Sequence, residues 1–177
     1  MDYGVMPEMA AGSLFDFQVK GRMQFFSIPG GGEAVIDYAH NAMSLESVLT
    51  TLRGYRPARL ITVFGCGGQR AKERRFQMGE VSGRLSDLTV ITSDNPRWED
   101  PEGIMDDIET GVRKTDGKYL RITDRKEAVQ RAVELAGPGD LVVIAGKGHE
   151  TTQEIQGVFY RMDEQELVEE ACTQKLL

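Results

Sequence analysis

The sequence predicts an α/β fold with a Rossmann-like, mostly parallel sheet flanked by helices. Three observations predict it. From Glu33 onward, short apolar runs alternate with segments whose apolar residues recur at helical spacing, the pattern of successive βαβ units. Most of the apolar runs are continuous rather than alternating, as in strands covered by helices on both faces. Helix-start signals stand at the junctions: Asp100 precedes Pro101, and Asp124 and Asp163 are each followed three residues on by a glutamate.

Taken in chain order, residues 1–32 read as a linker or the remnant of a preceding region. They carry β-like runs at Leu14–Val19 and Met23–Ile28 and a break at Pro29-Gly30-Gly31-Gly32. Residues 33–177 form the α/β domain. Its predicted strands are Ala34–Asp37, Leu60–Phe64, Leu88–Thr92, Tyr119–Ile122 and Leu141–Ala145. The helical stripes between them are Leu45, Val48, Leu49 and Leu52, then Ile104, Ile108 and Val112, then Ala128, Val129, Ala132 and Val133. A last helix over about Glu164–Leu176 places Leu167, Val168, Ala171 and Cys172 on one face, with Cys172 as a core filler.

Composition narrows the function. The 177 residues are 40% apolar, enough for one ordinary core, and the formal net charge is −7. Such acidity argues against a general nucleic-acid surface, which needs positive charge to displace phosphate counterions. Cys66 and Cys172 have neither disulfide-framework nor metal-ligand spacing, no apolar stretch reaches membrane-spanning length, and Met1–Gly12 contains no basic-then-apolar leader. A cytoplasmic protein with no membrane contact is expected.

Ligands of open parallel sheets bind outside the carboxyl ends of the strands, where loops escape the covering helices. Four such ends carry polar or glycine-containing loops. After Phe64 comes Gly65-Cys66-Gly67-Gly68-Gln69-Arg70, followed by Lys72, Arg74 and Arg75: a tight turn and basic residues at a helix start, suited to an anion but also compatible with a solvated helix face. After the Leu88 run comes Ser93-Asp94-Asn95-Pro96-Arg97, which could grip a zwitterion through Arg97 on a carboxylate and Asp94 or Asn95 near an amine, or could be a plain Asx-Pro turn. After Ala145 comes Gly146-Lys147-Gly148-His149-Glu150, which lacks the spacing of a Walker A phosphate loop. The first strand of the domain ends in Asp37-Tyr38-Ala39-His40-Asn41. A metal site from Asp37, His40, His149 and Glu150, or an activated Cys66 thiolate, is conceivable but lacks the short spacings that mark such sites.

Together and in this order, these loops and Lys20-Gly21-Arg22-Met23 resemble the C-terminal domain of the Mur ligase family, over Val19 to about Val168. Within the family they are most similar to the MurE branch, which extends UDP-N-acetylmuramoyl-L-alanyl-D-glutamate by one diamino acid in peptidoglycan biosynthesis. The resemblance implies an ATP- and Mg2+-dependent amide ligation, in which an acyl phosphate is attacked by the incoming amine. In relatives of this type the Asp-Asn-Pro-Arg loop selects meso-diaminopimelate over lysine, because an arginine meets the carboxylate that lysine lacks; Arg97 stands at that position. By the same resemblance Arg70, Asp94, Asn95, Pro96, Arg97, Gly146 and Glu150 bind substrate, Arg22 approaches an ATP phosphate and Asp37 the ribose, with Tyr38 and His40 close by.

The sequence departs from the family at Ala42-Met43, Gln69, Phe76 and Thr151-Thr152, where Pro-Asp, an acid or Asn, Pro and Asp-Tyr are frequent. No catalytic or metal-binding residue is assigned. The family's UDP-sugar domain and P-loop domain, which hold most of the ATP and Mg2+, have no counterpart in the sequence. The chain alone is therefore expected to bind ligand weakly and turn over nothing. Two alternatives stand beside this reading: a stand-alone amino-acid-binding or regulatory module, and a ligase domain for another amino acid, as in folylpolyglutamate synthetase relatives. The Asp94–Arg97 loop argues against the latter.

Overall fold

The computed structural model describes residues 19–176, so most of the β-like run at Leu14–Val19 lies outside the described residues. A six-stranded sheet has the order β1-β2-β6-β3-β4-β5, built from β1 (Gln24–Ile28), β2 (Gly32–Asp37), β3 (Leu60–Phe64), β4 (Leu88–Ile91), β5 (Tyr119–Arg121) and β6 (Leu141–Ala145). Only β1 runs antiparallel to its neighbour; the other four pairings are parallel. The expected boundary at residue 32 falls inside a hairpin. Gln24–Ile28 pairs residue by residue with Gly32–Ile36, and the Pro29–Gly31 break is its turn, so this run belongs to the sheet rather than to a linker.

The continuous apolar strands alternate between two buried layers. In β3, Leu60 and Phe64 enter one core cluster while Ile61 and Val63 enter the other; in β6, Leu141, Val143 and Ala145 face opposite to Val142 and Ile144. Three helices, α1 (Ala42–Gly54), α2 (Glu73–Leu85) and α3 (Pro101–Val112), cover the first face through Leu45, Leu49, Met78 and Ile108. Two others, α4 (Arg125–Leu135) and α5 (Glu164–Lys175), cover the second through Val129, Ala132, Leu167 and Val168. At the fully buried positions of the central strands a polar side chain needs a partner. Thr62 and Thr89 meet that condition through Ser86 and Ser82.

Three of the five helix starts follow the expected aspartate signals, while α2 starts after Lys72 with no side-chain cap. Asp100, Asp124 and Asp163 each accept a backbone N–H of the first turn, and Asn41 forms a reciprocal cap with Ser44 at the start of α1. A second, two-stranded sheet went unread in the sequence: β7 (Thr152–Ile155) and β8 (Val158–Arg161) form a hairpin whose Gln156-Gly157 turn has both φ angles positive, 50° and 77°.

Candidate functional site

Sheet register sets the site. Asp37, Ala145, Phe64 and Ile91 stand abreast as partners on β2, β6, β3 and β4, so four loops leave from one line. At the usual strand spacing that line is about 14 Å long. Strand β6, last of the six in chain order, inserts between β2 and β3, and the helix that leads into β3 (α1) lies on the opposite face from the helix that leads into β6 (α4). A crevice at the carboxyl end follows from that reversal.

The crevice is a pocket of about 260 Å3 that brings together Arg70, Asp94, Asn95, Arg97, Gly146 and Glu150. Tyr38 and His40 form its flank. Pro96 does not line it; its carbonyl packs on Gly68, where an added Cβ would sit 2.0 Å from that oxygen. Only glycine lets the two loops approach so closely. Gly146 leaves β6 at φ +117°, a conformation that side-chain-bearing residues rarely adopt.

The basic run after Gly68 splits in two directions. Arg70 and Arg74 line the pocket, whereas Arg75 is buried and pairs with Glu99 at 2.7 Å and Asp107 at 2.9 Å. Glu99 in turn accepts the N–H of Gln69, whose φ is 55°. The helix start is thereby clamped to the Asp94–Arg97 loop's continuation.

Arg97 also has a left-handed backbone, at φ 55°. The β7–β8 hairpin holds it there: Arg97 N–H donates to Glu154 O at 3.1 Å and Gln156 N–H to Arg97 O at 2.7 Å. Its guanidinium donates to Gly68 O at 2.7 Å and pairs with the Glu154 carboxylate at 3.2 Å. Both side chains of that pair remain about one-fifth exposed.

Asn95, Lys147 and Glu150 form a closed polar cluster. The Lys147 ammonium donates to Asn95 Oδ1 at 2.9 Å and Glu150 Oε2 at 2.8 Å, and Asn95 Nδ2 donates to the same Oε2 at 3.0 Å. Burial works to raise the Glu150 carboxyl, but the Lys147 hydrogen bond and charge, with the Asn95 bond, hold it below the ordinary carboxylate range. Below the pocket, Arg125 and Glu164 are fully buried as a pair; Arg125 donates to Ala145 O and Ser93 O, and Glu164 accepts Gly148 N–H at 3.0 Å. This pair ties two of the pocket's loops to one floor.

Arg22 and Asp37 lie outside the pocket lining. The Arg22 guanidinium sits over the Tyr38 ring at 4.6 Å, and that ring also packs on His40 and His149 at 4.7 and 5.0 Å. Asp37 is buried, and its carboxylate accepts Met23 N–H and Ala39 N–H, both at 2.9 Å, which fixes the Lys20–Met23 turn against the sheet. Among the described residues no three His, Cys, Asp or Glu side chains converge as a metal site. Cys66 is buried, and burial pushes its thiol up to about 12, far from a thiolate nucleophile. No helix among the described residues is long and apolar enough to cross a membrane.

Sequence reasoning named Arg74 in the basic run without separating it from Arg75, missed Glu154 and the Arg125–Glu164 pair, and gave Lys147 no role. Arg125 and Glu164 are 39 residues apart, and no local pattern joins them. For Glu154 a signal existed: Gln156-Gly157 between Ile155 and Val158 is a hairpin turn.

Residues 21–148 match the family described as Mur ligase, glutamate ligase domain. The chain is 47% identical over 160 residues to UDP-N-acetylmuramoyl-L-alanyl-D-glutamate--2,6-diaminopimelate ligase of Alkaliphilus metalliredigens, covering 85% of this chain and 32% of that protein. It is 44% identical over 174 residues to the protein of the same name from Chlorobaculum tepidum, covering 96% and 34%. A solved structure of a ligase with that name superposes with a TM-score of 0.84 at 39% identity, over 91% of this chain and 33% of that one. The chain thus spans about a third of the length of these relatives. Matched over most of its length and built on the same sheet, the chain belongs to the Mur ligase family, in the domain that lies C-terminal in those proteins.

Proposed function

We propose that the pocket binds meso-diaminopimelate and presents its amine for ATP-dependent ligation to UDP-N-acetylmuramoyl-L-alanyl-D-glutamate, in the cytoplasm. One observation carries this reading. Hydrogen-bond donors suited to carboxylates (Arg70, Asn95, Arg97) and an ionised acceptor suited to an ammonium (Glu150) face one pocket of about 260 Å3, a volume for an amino acid rather than a larger ligand. Drug-sized sites run from roughly 300 to 1,000 Å3. Arg97, about one-fifth exposed and paired with Glu154, is the group assigned to the second carboxylate, which lysine lacks. Asp94 and Pro96 shape the loop, and Gly146 lets the β6 end pass beside Asp94 Oδ2.

The nucleotide is assigned to the neighbouring flank. Arg22 supplies a guanidinium for a phosphate, Tyr38 and His40 supply ring faces, and each Asp37 oxygen, having accepted one N–H, keeps a lone pair for a ribose hydroxyl. These residues fit one side of a nucleotide but not its triphosphate and Mg2+, since Lys147 is buried and already paired and, among the described residues, no metal-holding cluster of carboxylates is present. When bound, ATP supplies the phosphoryl group that activates the acceptor carboxylate. The contribution of this chain is proximity: it holds the amine of the second substrate in a fixed direction, which removes much of the barrier of a bimolecular step.

Calorimetric titration of the chain with meso-diaminopimelate and with lysine tests the reading. Meso-diaminopimelate binds more tightly, and Arg97→Ala weakens it by about tenfold or more while leaving lysine unchanged. Equal affinities for the two ligands would overturn the substrate assignment.

A further inference from the structure

We infer that Lys147 is a positioning residue: its buried ammonium dictates which way the Asn95 carboxamide faces and holds Glu150 as the acceptor for the ligand's ammonium. The inference rests on the substrate reading above and names the device that gives that pocket its polarity.

Lys147 is fully buried, so it is not a surface or phosphate-seeking lysine. A buried ammonium is costly unless its donors are taken up. Two go to Asn95 Oδ1 and Glu150 Oε2. The Asn95 oxygen also accepts Glu154 N–H at 2.9 Å, so both of its lone pairs are used. A flipped amide would set its NH2 against the Lys147 ammonium and the Glu154 N–H, donors against donors. Asn95 therefore meets the pocket only as a donor: one Nδ2 hydrogen goes to Glu150 and the other is left for a carboxylate oxygen.

Glu150 takes both of its bonds on Oε2, which leaves Oε1 as the acceptor free among the described residues. An amide donor and a carboxylate acceptor side by side match the carboxylate and ammonium that an α-amino acid carries on one carbon. Other charges also face Glu150: His149 beside it, Arg125 beneath, and Arg70, Arg74, Arg97, Asp94 and His40 around the pocket. All of them remain when only Lys147 is replaced, so the change isolates its contribution.

The experiment uses the 177-residue chain and Lys147→Met, which keeps the apolar stem and removes the donors. NMR titration of the Glu150 carboxyl carbon, without ligand, gives a midpoint below the ordinary 4.5 in the unaltered chain. In Lys147→Met the midpoint moves above 4.5, because burial then acts against the charge with less compensation. Meso-diaminopimelate binding falls by about tenfold near neutral pH, and the loss deepens as pH drops through the raised midpoint. An unchanged midpoint, or a loss of affinity that is uniform with pH, overturns the inference. If Lys147→Met does not fold, the unaltered chain still decides: a Glu150 midpoint at or above 4.5, or Asn95 side-chain amide hydrogens exchanging like those of an exposed amide, overturns it. A chain that shows the expected midpoints but binds no meso-diaminopimelate keeps Lys147 as the positioning group and discards the substrate reading instead.

Discussion

Two arginine–glutamate pairs serve the same pocket under different solvation. Arg125 and Glu164 lie beneath the loops with side-chain exposures of 1% and 0%, while Arg97 and Glu154 lie at the rim with 21% and 22%. The buried pair spends its remaining atoms on backbone: Arg125 on Ser93 O and Ala145 O, Glu164 on Gly148 N–H. It cannot exchange partners without stranding a charge in a dry interior. The rim pair can. A guanidinium still about one-fifth exposed trades one carboxylate for another more readily, because water reaches both charges while they are apart. The same chemical couple is thus a fixed floor in one place and an exchangeable contact in the other, and water access makes the difference.

The comparison is broken or sharpened most strongly by Arg125→Met. It leaves Glu164 buried without its partner, and the chain loses about 3–5 kcal/mol of stability in urea unfolding. Replacing Glu164 by Leu in the same chain recovers much of that loss, since a dry apolar pair carries no uncompensated charge. A loss below about 1 kcal/mol would place Arg125–Glu164 in the class of the rim pair.

A middle-sized effect comes from the wall between the two pairs. In Gly68→Ala the new Cβ meets Pro96 O at 2.0 Å, a backbone atom that cannot swing aside. The loops must part, at about 1–3 kcal/mol. Meso-diaminopimelate affinity, followed by calorimetry, drops as well, although no ligand-facing group has been removed. Unaltered affinity would mean that the spacing of the two loops is not what aligns Arg97.

Glu154→Gln has the smallest effect on folding, under about 1 kcal/mol in the same unfolding measurement. It frees Arg97 from a competing carboxylate at 3.2 Å, so affinity for meso-diaminopimelate holds or rises. A destabilisation matching that of Arg125→Met would erase the contrast on which the comparison stands.

Much of this architecture is legible along the chain. Five of the six strands of the main sheet, all five helices' apolar faces or starts, and the aspartate caps follow from runs, stripes and dipeptides, because each is a local pattern repeated over a few residues. The Met23–Ile28 run reads as β-like but carries no sign of where it pairs; its antiparallel pairing with β2 makes it an edge of the sheet. The β7–β8 hairpin escaped because its residues are exposed or half-buried and show no core-facing alternation.

The site divides in the same way. Arg70, Asp94, Asn95, Arg97, Gly146 and Glu150 stand in loops that follow strands, so order along the chain was enough to bring them to one edge. Burial and partner choice were not legible. Adjacent Arg74 and Arg75 look alike as a basic run, yet one reaches the pocket and the other is buried against Glu99 and Asp107. Lys147 sits in an obvious glycine turn, and nothing in that turn says that its charge points inward.

The order of residues determined the α/β class, the strand ends that bear chemistry and the kind of ligand they suit, because periodicity and loop composition are properties of neighbours in the chain. Folding decided which charges are dry, which are paired and which way the Asn95 amide points, because those depend on atoms as far as 143 residues apart meeting within hydrogen-bond distance.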